Sequence, residues 1–224
     1  MSRSDVSFLF DLDGTLVDSV YQHVQAWQEA LTGAGIELSV WRIHRKIGMS
    51  GGLFTDMLLR ETSLEITPAL LDTLQRQHAQ AYSRLARWVR PLPGAVEVLR
   101  YLTKSGIPWA IATSGRMGSA KYNLDALGVD PAQAAVITRD DVRHAKPDPD
   151  LFLAAARLGV DIESAVIVGD SIWDMLAARR ARGLGVGLLS GGYGEDELER
   201  SGAIRVYEDP ADLLRHIDEI GGRV

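Results

Sequence analysis

Four groups of polar residues in this chain are placed to do chemistry, each at the end of a short apolar run. Asp11 and Asp13 follow the run Val6 to Phe10, with Gly14 and Thr15 turning the chain behind them. Turn preference explains a lone Asp-Gly pair. It explains poorly two acids that end a buried strand. Thr113, Ser114 and Gly115 follow a second run that ends at Ala112. A hydroxyl at a strand end can bind phosphate oxygens, and the amides of Ser114 and Gly115 can add to it as at a helix N-terminus. The competing reading is an ordinary N-cap. Lys146 stands between turn residues in Ala145-Lys146-Pro147-Asp148-Pro149, where a fixed lysine is a point charge for a phosphate. Asp170 and Asp174, four apart after Val166 to Val168, can hold a hard cation. As a cap and a dipole partner they would need no metal. With Asp11 they make three acids that repel one another, and a divalent ion resolves that.

The elements that must position these groups follow from periodicity. Short apolar strands are expected at 6–10, 109–112, 135–138, 165–168, 184–188 and 204–207. Helices are expected between them at 95–105, 119–127, 149–158 and 172–182, with a last one at 209–220. Alternating helix and buried strand means a doubly wound, Rossmann-like parallel sheet with helices on both faces. In such a sheet ligands bind in the crevice at the carboxyl ends of the strands. Every group above falls there.

One stretch breaks the alternation. From about Val17 to Trp88 the pattern is helical: Val20 to Leu31, Val40 to Lys46, Leu53 to Thr62, and Pro68 to Trp88 capped by Thr67. Ser50-Gly51-Gly52 reads as a flexible break, and Arg90-Pro91-Leu92-Pro93-Gly94 as a hinge back into the sheet. The expected division is a core of residues 1–16 and 90–224 and an inserted helical cap of residues 17–89. The cap carries a basic cluster, Arg42, His44, Arg45 and Lys46. A solvated face explains it better than a substrate site. The same holds for Arg76, Arg84, Arg87 and Arg90.

Composition narrows the class. The 224 residues are 46% hydrophobic, enough to bury the core of one large domain or of one domain with an insert. A net charge of −6 argues against a nucleic-acid or anionic-membrane partner. The absence of cysteine removes disulfides, thiolate chemistry and Cys–zinc sites. No signal peptide is visible and no apolar run approaches the ~20 residues that span a bilayer. A soluble cytoplasmic protein is expected, as a monomer or a dimer.

Asp11-Leu12-Asp13-Gly14-Thr15-Leu16 resembles the first motif of the haloacid dehalogenase (HAD) superfamily of phosphotransferases. Thr113-Ser114-Gly115, Lys146-Pro147-x-Pro149 and Gly169-Asp170-Ser171-x-x-Asp174 are similar to its second, third and fourth, in the right order. The cap matches the helical C1-type insert of the phosphoglycolate phosphatase and β-phosphoglucomutase-like subfamily. The resemblance implies that Asp11 attacks phosphorus and that Asp13 is the general acid/base. It implies that Thr113, Ser114, Gly115 and Lys146 bind the phosphoryl group. It implies Mg²⁺ on Asp11, the Asp13 carbonyl and Asp170, with Asp174 acting indirectly. Asp18-Ser19-x-x-x-His23-x-x-Ala26-Trp27 is similar to family members in which the His lies near substrate.

The activity so implied is a Mg²⁺-dependent phosphatase of small phosphorylated metabolites, of sugar phosphate or phosphoglycolate type. A β-phosphoglucomutase-like mutase is the main alternative. Its cap arginine for the distal phosphate aligns with Gly51, which carries no charge. A phosphonatase would need a cap lysine for a Schiff base, and Lys46 is the one lysine of residues 17–89. A haloacid dehalogenase would leave Asp13 and the metal acids superfluous. A catalytically silent binding protein is a further alternative, but neither Asp11 nor Asp13 is replaced.

Overall fold

The computed structural model describes residues 6–62, 67–156 and 161–222. Six strands make one sheet: β1 (Ser7–Phe10), β2 (Trp109–Ala112), β3 (Val136–Ile137), β4 (Ala165–Gly169), β5 (Leu184–Leu188) and β6 (Ala203–Tyr207). The helices are α1 (Val20–Gly33), α2 (Val40–His44), α3 (Gly51–Thr62), α4 (Pro68–Leu85), α5 (Ala95–Ser105), α6 (Met117–Leu127), α7 (Asp150–Ala156), α8 (Ile172–Ala181), α9 (Glu195–Ser201) and α10 (Pro210–Arg215).

The sheet order is β3-β2-β1-β4-β5-β6, and every pair is parallel. The chain builds outward from β1 on one side, then returns to build outward on the other. That places the switch point between β1 and β4, where a crevice must open. Period-2 alternation assigns the two faces. Phe8 and Phe10 pack toward α5, α6 and α10 with Leu99, Leu124 and Leu213. Leu9 and Ile167 face the other way, onto Phe152 of α7 and the alanines of α8. Both faces are covered, which is why the strands read as continuous apolar runs.

Helices α1 to α4 form a lobe with its own core of Val24, Leu31, Ile43, Phe54, Leu58 and Leu74. The two crossings to the lobe lie side by side. Asp18 N donates to Arg90 O at 2.9 Å, Leu92 N donates to Leu16 O at 2.9 Å, and Val17 bridges Pro91 antiparallel.

Several local expectations are corrected. Ser50-Gly51-Gly52 is no flexible break: Ser50 Oγ accepts from Leu53 N at 3.3 Å, and Gly51 and Gly52 open α3 behind that cap. The third strand is two residues long, because Thr138 leaves the ladder to cap a 3₁₀ turn: its Oγ1 accepts from Asp140 N at 3.3 Å, and its amide and hydroxyl donate to Asp141 Oδ2. Helix α4 ends at Leu85 and continues as a 3₁₀ turn to Trp88. The last helix breaks at His216 into α10 and a 3₁₀ turn. The expected end of the 149–158 helix lies outside the described residues. Helix α9, an acidic segment with little apolar periodicity, was not expected.

The basic cluster is not a solvated face. Lys46 is 4% exposed and pairs with Glu61 at 2.7 Å; Arg42 pairs with the same carboxylate at 3.5 Å. Arg45 pairs with Glu197 and covers the ring of Tyr193, while His44 Nε2 lies 2.8 Å from Gly191 O. The cluster ties the lobe to the segment after β5. The other arginines match expectation: Arg76 and Arg84 make exposed pairs with Asp72 and Glu29. No helix among the described residues is long and apolar enough to cross a membrane.

Candidate active site

Three strand ends meet at the crevice. Asp11 follows β1, and its amide donates to Val168 O of β4 at 2.9 Å. Asp170 follows β4, and Thr113 follows β2. Lys146 comes in from the loop before α7 and is fully buried. Its Nζ donates to Asp11 Oδ1 and lies 2.7 Å from Asp174 Oδ1.

Local sequence explains how three acids are held so close. Ser171, and not Asp170, caps α8: Asp174 Oδ2 accepts from Ser171 N at 3.1 Å and from Ser171 Oγ at 2.5 Å. This capping box turns Asp174 inward. Asp170 Oδ1 accepts from Thr15 Oγ1 at 2.7 Å. A Cβ at Gly14 or Gly191 would collide with the Asp170 carboxylate, and Gly14 also needs its φ of +83°. Glycine at those two positions makes a cradle for the charge.

The electrostatics are unbalanced. Oxygens of Asp11, Asp170 and Asp174 lie within 4.8 Å of one another. One lysine faces them, which leaves two negative charges when all three acids are ionised. Burial first, and then the neighbouring acids, push the Asp11 carboxyl up to about 7 against the pull of Lys146. Burial, Asp174 and Asp11 push Asp170 well above the carboxylate range. Burial alone would lower Lys146, but Asp11 and Asp174 outweigh it and hold the ammonium charged. Asp174 Oδ1 is taken by the Lys146 ammonium at 2.7 Å. An all-oxygen donor set and a deficit of two positive charges fit a hard divalent cation.

Asp13 is built differently. Its Oδ1 accepts from Ser19 Oγ at 2.7 Å and Asn123 Nδ2 at 2.6 Å, and lies 3.1 Å from His23 Nε2. Among the described residues its Oδ2 takes only the Thr113 hydroxyl, at 3.4 Å. Burial would raise this carboxyl; interaction with His23 and the bonds from His23 and Ser19 outweigh burial and hold it below its ordinary value.

The expected phosphate groups divide. Ser114 Oγ is buried and has no partner among the described residues. The Gly115 amide is already used, donating to Thr113 Oγ1 at 3.0 Å. A cleft of about 410 Å³ runs from Asp11, Asp13 and Ser114 to the lobe, where Trp27, Phe54 and His78 form its far wall. Trp27 stacks on His78 at 4.3 Å. His23 lines the cleft, as does Lys46, whose ammonium is spent on Glu61; Gly51 opens α3, next to Gly52 at the cleft.

Sequence reasoning missed Asn123, Tyr82 and His78. A signal for each was present. Asn123 is a polar residue on the apolar stripe Ala120, Leu124, Leu127, and His78 and Tyr82 are four apart on one face of α4.

A family profile for haloacid dehalogenase-like hydrolases matches residues 7–182. Hexitol phosphatase A of Escherichia coli is 35% identical over 174 residues, covering 73% of this chain and 74% of that protein. Phosphoglycolate phosphatase of Caulobacter vibrioides is 33% identical over 207 residues, covering 91% and 87%. The crystal structure of a hydrolase from Pseudomonas syringae superposes with a TM-score of 0.94 at 59% identity, covering 96% of this chain and 98% of that one. The crevice chemistry and these likenesses agree: the chain belongs to the haloacid dehalogenase-like hydrolases.

Proposed function

We propose that this chain is a Mg²⁺-dependent phosphatase that hydrolyses small phosphomonoesters through a phosphorylated Asp11. The observation that carries the reading is the cluster of Asp11, Asp170 and Asp174 around Lys146, whose Asp11 lines a cleft shared with a Ser114 hydroxyl that has no partner among the described residues. The relatives named for hexitol and phosphoglycolate support a sugar phosphate or phosphoglycolate-type substrate.

Asp11 Oδ2 accepts no hydrogen bond from the described residues, so it is the oxygen free to attack phosphorus. The bond from phosphorus to the leaving alkoxide breaks as the bond to Asp11 forms. Asp13 Oδ2, the lightly bonded oxygen, gives the alkoxide its proton. The incoming phosphate, itself anionic, raises the Asp13 carboxyl toward that protonated form. Asp13 then takes a proton from the water that attacks phosphorus, and the bond to Asp11 breaks. Orthophosphate and free Asp11 result. Lys146 and Ser114 hold phosphoryl oxygens throughout, with Thr113 and Gly115 shaping the turn.

Asp11, Asp170 and Asp174, with the Asp13 carbonyl, are the groups that would hold Mg²⁺. The ion would neutralise charge that develops on the phosphoryl oxygens. The helical lobe, residues 17–89, is the cap that shields the cleft from bulk water and presents Trp27, Phe54 and His78 to the substrate.

A mutase needs a free cap cation for a second phosphate. Gly51 offers none, and Arg42, Arg45 and Lys46 are engaged by Glu61 and Glu197. Lys46 is equally unsuited to a Schiff base, since its ammonium is bound to Glu61 and to Arg42 O. The test is phosphate release from a panel of hexitol, hexose and glycolate phosphates, with Mg²⁺ and with chelator. Metal-dependent release is expected. Full activity after exhaustive chelation would refute the metal assignment, and primed hexose phosphate isomerisation with negligible release would refute hydrolysis.

A further inference from the structure

Two buried polar side chains stand behind Asp13 and have no part in the chemistry above. Asn123, on α6 of the core, is 1% exposed; Tyr82, on α4 of the lobe, is fully buried. A buried amide is costly unless its polar groups are bonded, and both ends of this one are. Tyr82 Oη donates to Asn123 Oδ1 at 2.7 Å, and Asn123 Nδ2 donates to Asp13 Oδ1 at 2.6 Å. Burial pushes the Tyr82 hydroxyl far up, so it stays a donor. A donor on Oδ1 fixes the amide's orientation and leaves Nδ2 no choice but to face Asp13. The Tyr82 ring is itself held, stacked on His23 with centroids 3.9 Å apart.

The consequence falls on the carboxylate. With Asn123, Ser19 and His23 on one oxygen, any turn of the Asp13 carboxyl out of its present plane would break three short contacts. Oδ2 is thereby kept toward the cleft, where a Cβ at Gly115 would stand 3.9 Å from it. We propose that Asn123, oriented by Tyr82, is a positioning residue that holds the Asp13 carboxyl with one oxygen aimed into the cleft for the proton transfers. The inference rests on the phosphatase reading and adds to it a dependence on two residues outside the four motifs.

The test separates positioning from folding. An aryl ester such as p-nitrophenyl phosphate releases its phenolate without a proton, so phosphorylation of Asp11 does not need Asp13 as acid. Hydrolysis of the phosphoenzyme still needs Asp13 as base. In Asn123→Leu, which keeps the side-chain bulk and removes the donor, steady-state kcat should fall about 10²-fold, the lower end for an acid–base group. A rapid-quench burst of nitrophenolate, about one per active site, should persist. Tyr82→Phe keeps the ring stack and loses the hydroxyl; its kcat should fall about tenfold, the scale of one hydrogen bond. Unchanged kcat in Asn123→Leu would overturn the proposal. So would equal loss of burst and steady state in variants with native circular dichroism and melting. Absence of phosphate release by the unmutated protein would sink the phosphatase reading itself, before any variant is compared.

Discussion

The crevice and the helical lobe each gather charge at close quarters, and they resolve it in opposite ways. On the lobe, Arg42 and Lys46 share Glu61, and Arg45 meets Glu197 of α9, so each of these three cations is paired with a carboxylate. At the strand ends, three buried acids meet one lysine. Paired charge holds parts together. Unbalanced buried charge is costly to fold and persists where a ligand completes it. Whether each charge is paired, and not charge density, separates the functional cluster from the structural one.

The comparison breaks most readily at Asp11. Asp11→Asn should fold and lose turnover to background, since no other side chain replaces the nucleophile; steady-state phosphate release and thermal melting check both halves. Asp13→Asn should lose about 10²–10⁴ in kcat while still forming the phosphoenzyme, which acid quench detects.

Asp170 sharpens the comparison through pH. The folded carboxyls of Asp11 and Asp170 titrate above their unfolded values, so the folded state binds more protons. Stability from these groups is full below pH ~4 and is lost as pH rises through about 7. In chelator, the melting temperature should therefore fall from pH 5 to pH 8. Mg²⁺ should restore it at pH 8, by roughly 2.7 kcal/mol at a hundredfold excess over Kd. Asp170→Asn should flatten the pH dependence and blunt the Mg²⁺ effect. A flat profile in the unmutated protein would contradict the charge deficit.

The smallest effect belongs to the lobe. Arg45→Ala removes a half-exposed pair with Glu197 and a contact with Tyr193. It should cost about 1 kcal/mol or less in a denaturant melt, with kcat for phosphate release little changed.

Much of this was legible in sequence. The parallel sheet follows from apolar runs alternating with helical periodicity, and the acids announce the crevice because each ends such a run. Partnership was not legible. Nothing local says that Lys46 turns inward to Glu61, a contact that closes only in three dimensions. The Ser171 cap is different: Ser171-x-x-Asp174 is a capping-box spacing that sequence alone carries. Asn123 is intermediate: a polar residue on an apolar stripe was visible, but its partner lies 110 residues away. The short third strand was misjudged because the capping box at Thr138 competes with the ladder, and period alone does not weigh the two.

The central claim is that the charge deficit at the strand ends serves phosphorylation of Asp11. It is tested most directly by quenching Asp13→Asn in acid during turnover of an aryl phosphate, whose leaving group needs no proton, with Mg²⁺, then mapping the modified peptide by mass spectrometry. The account predicts one phosphoryl group, on the peptide that carries Asp11, absent in chelator and absent when Asp11 is also changed to Asn. A phosphoryl group on any other residue, or equal labelling without metal, would contradict it.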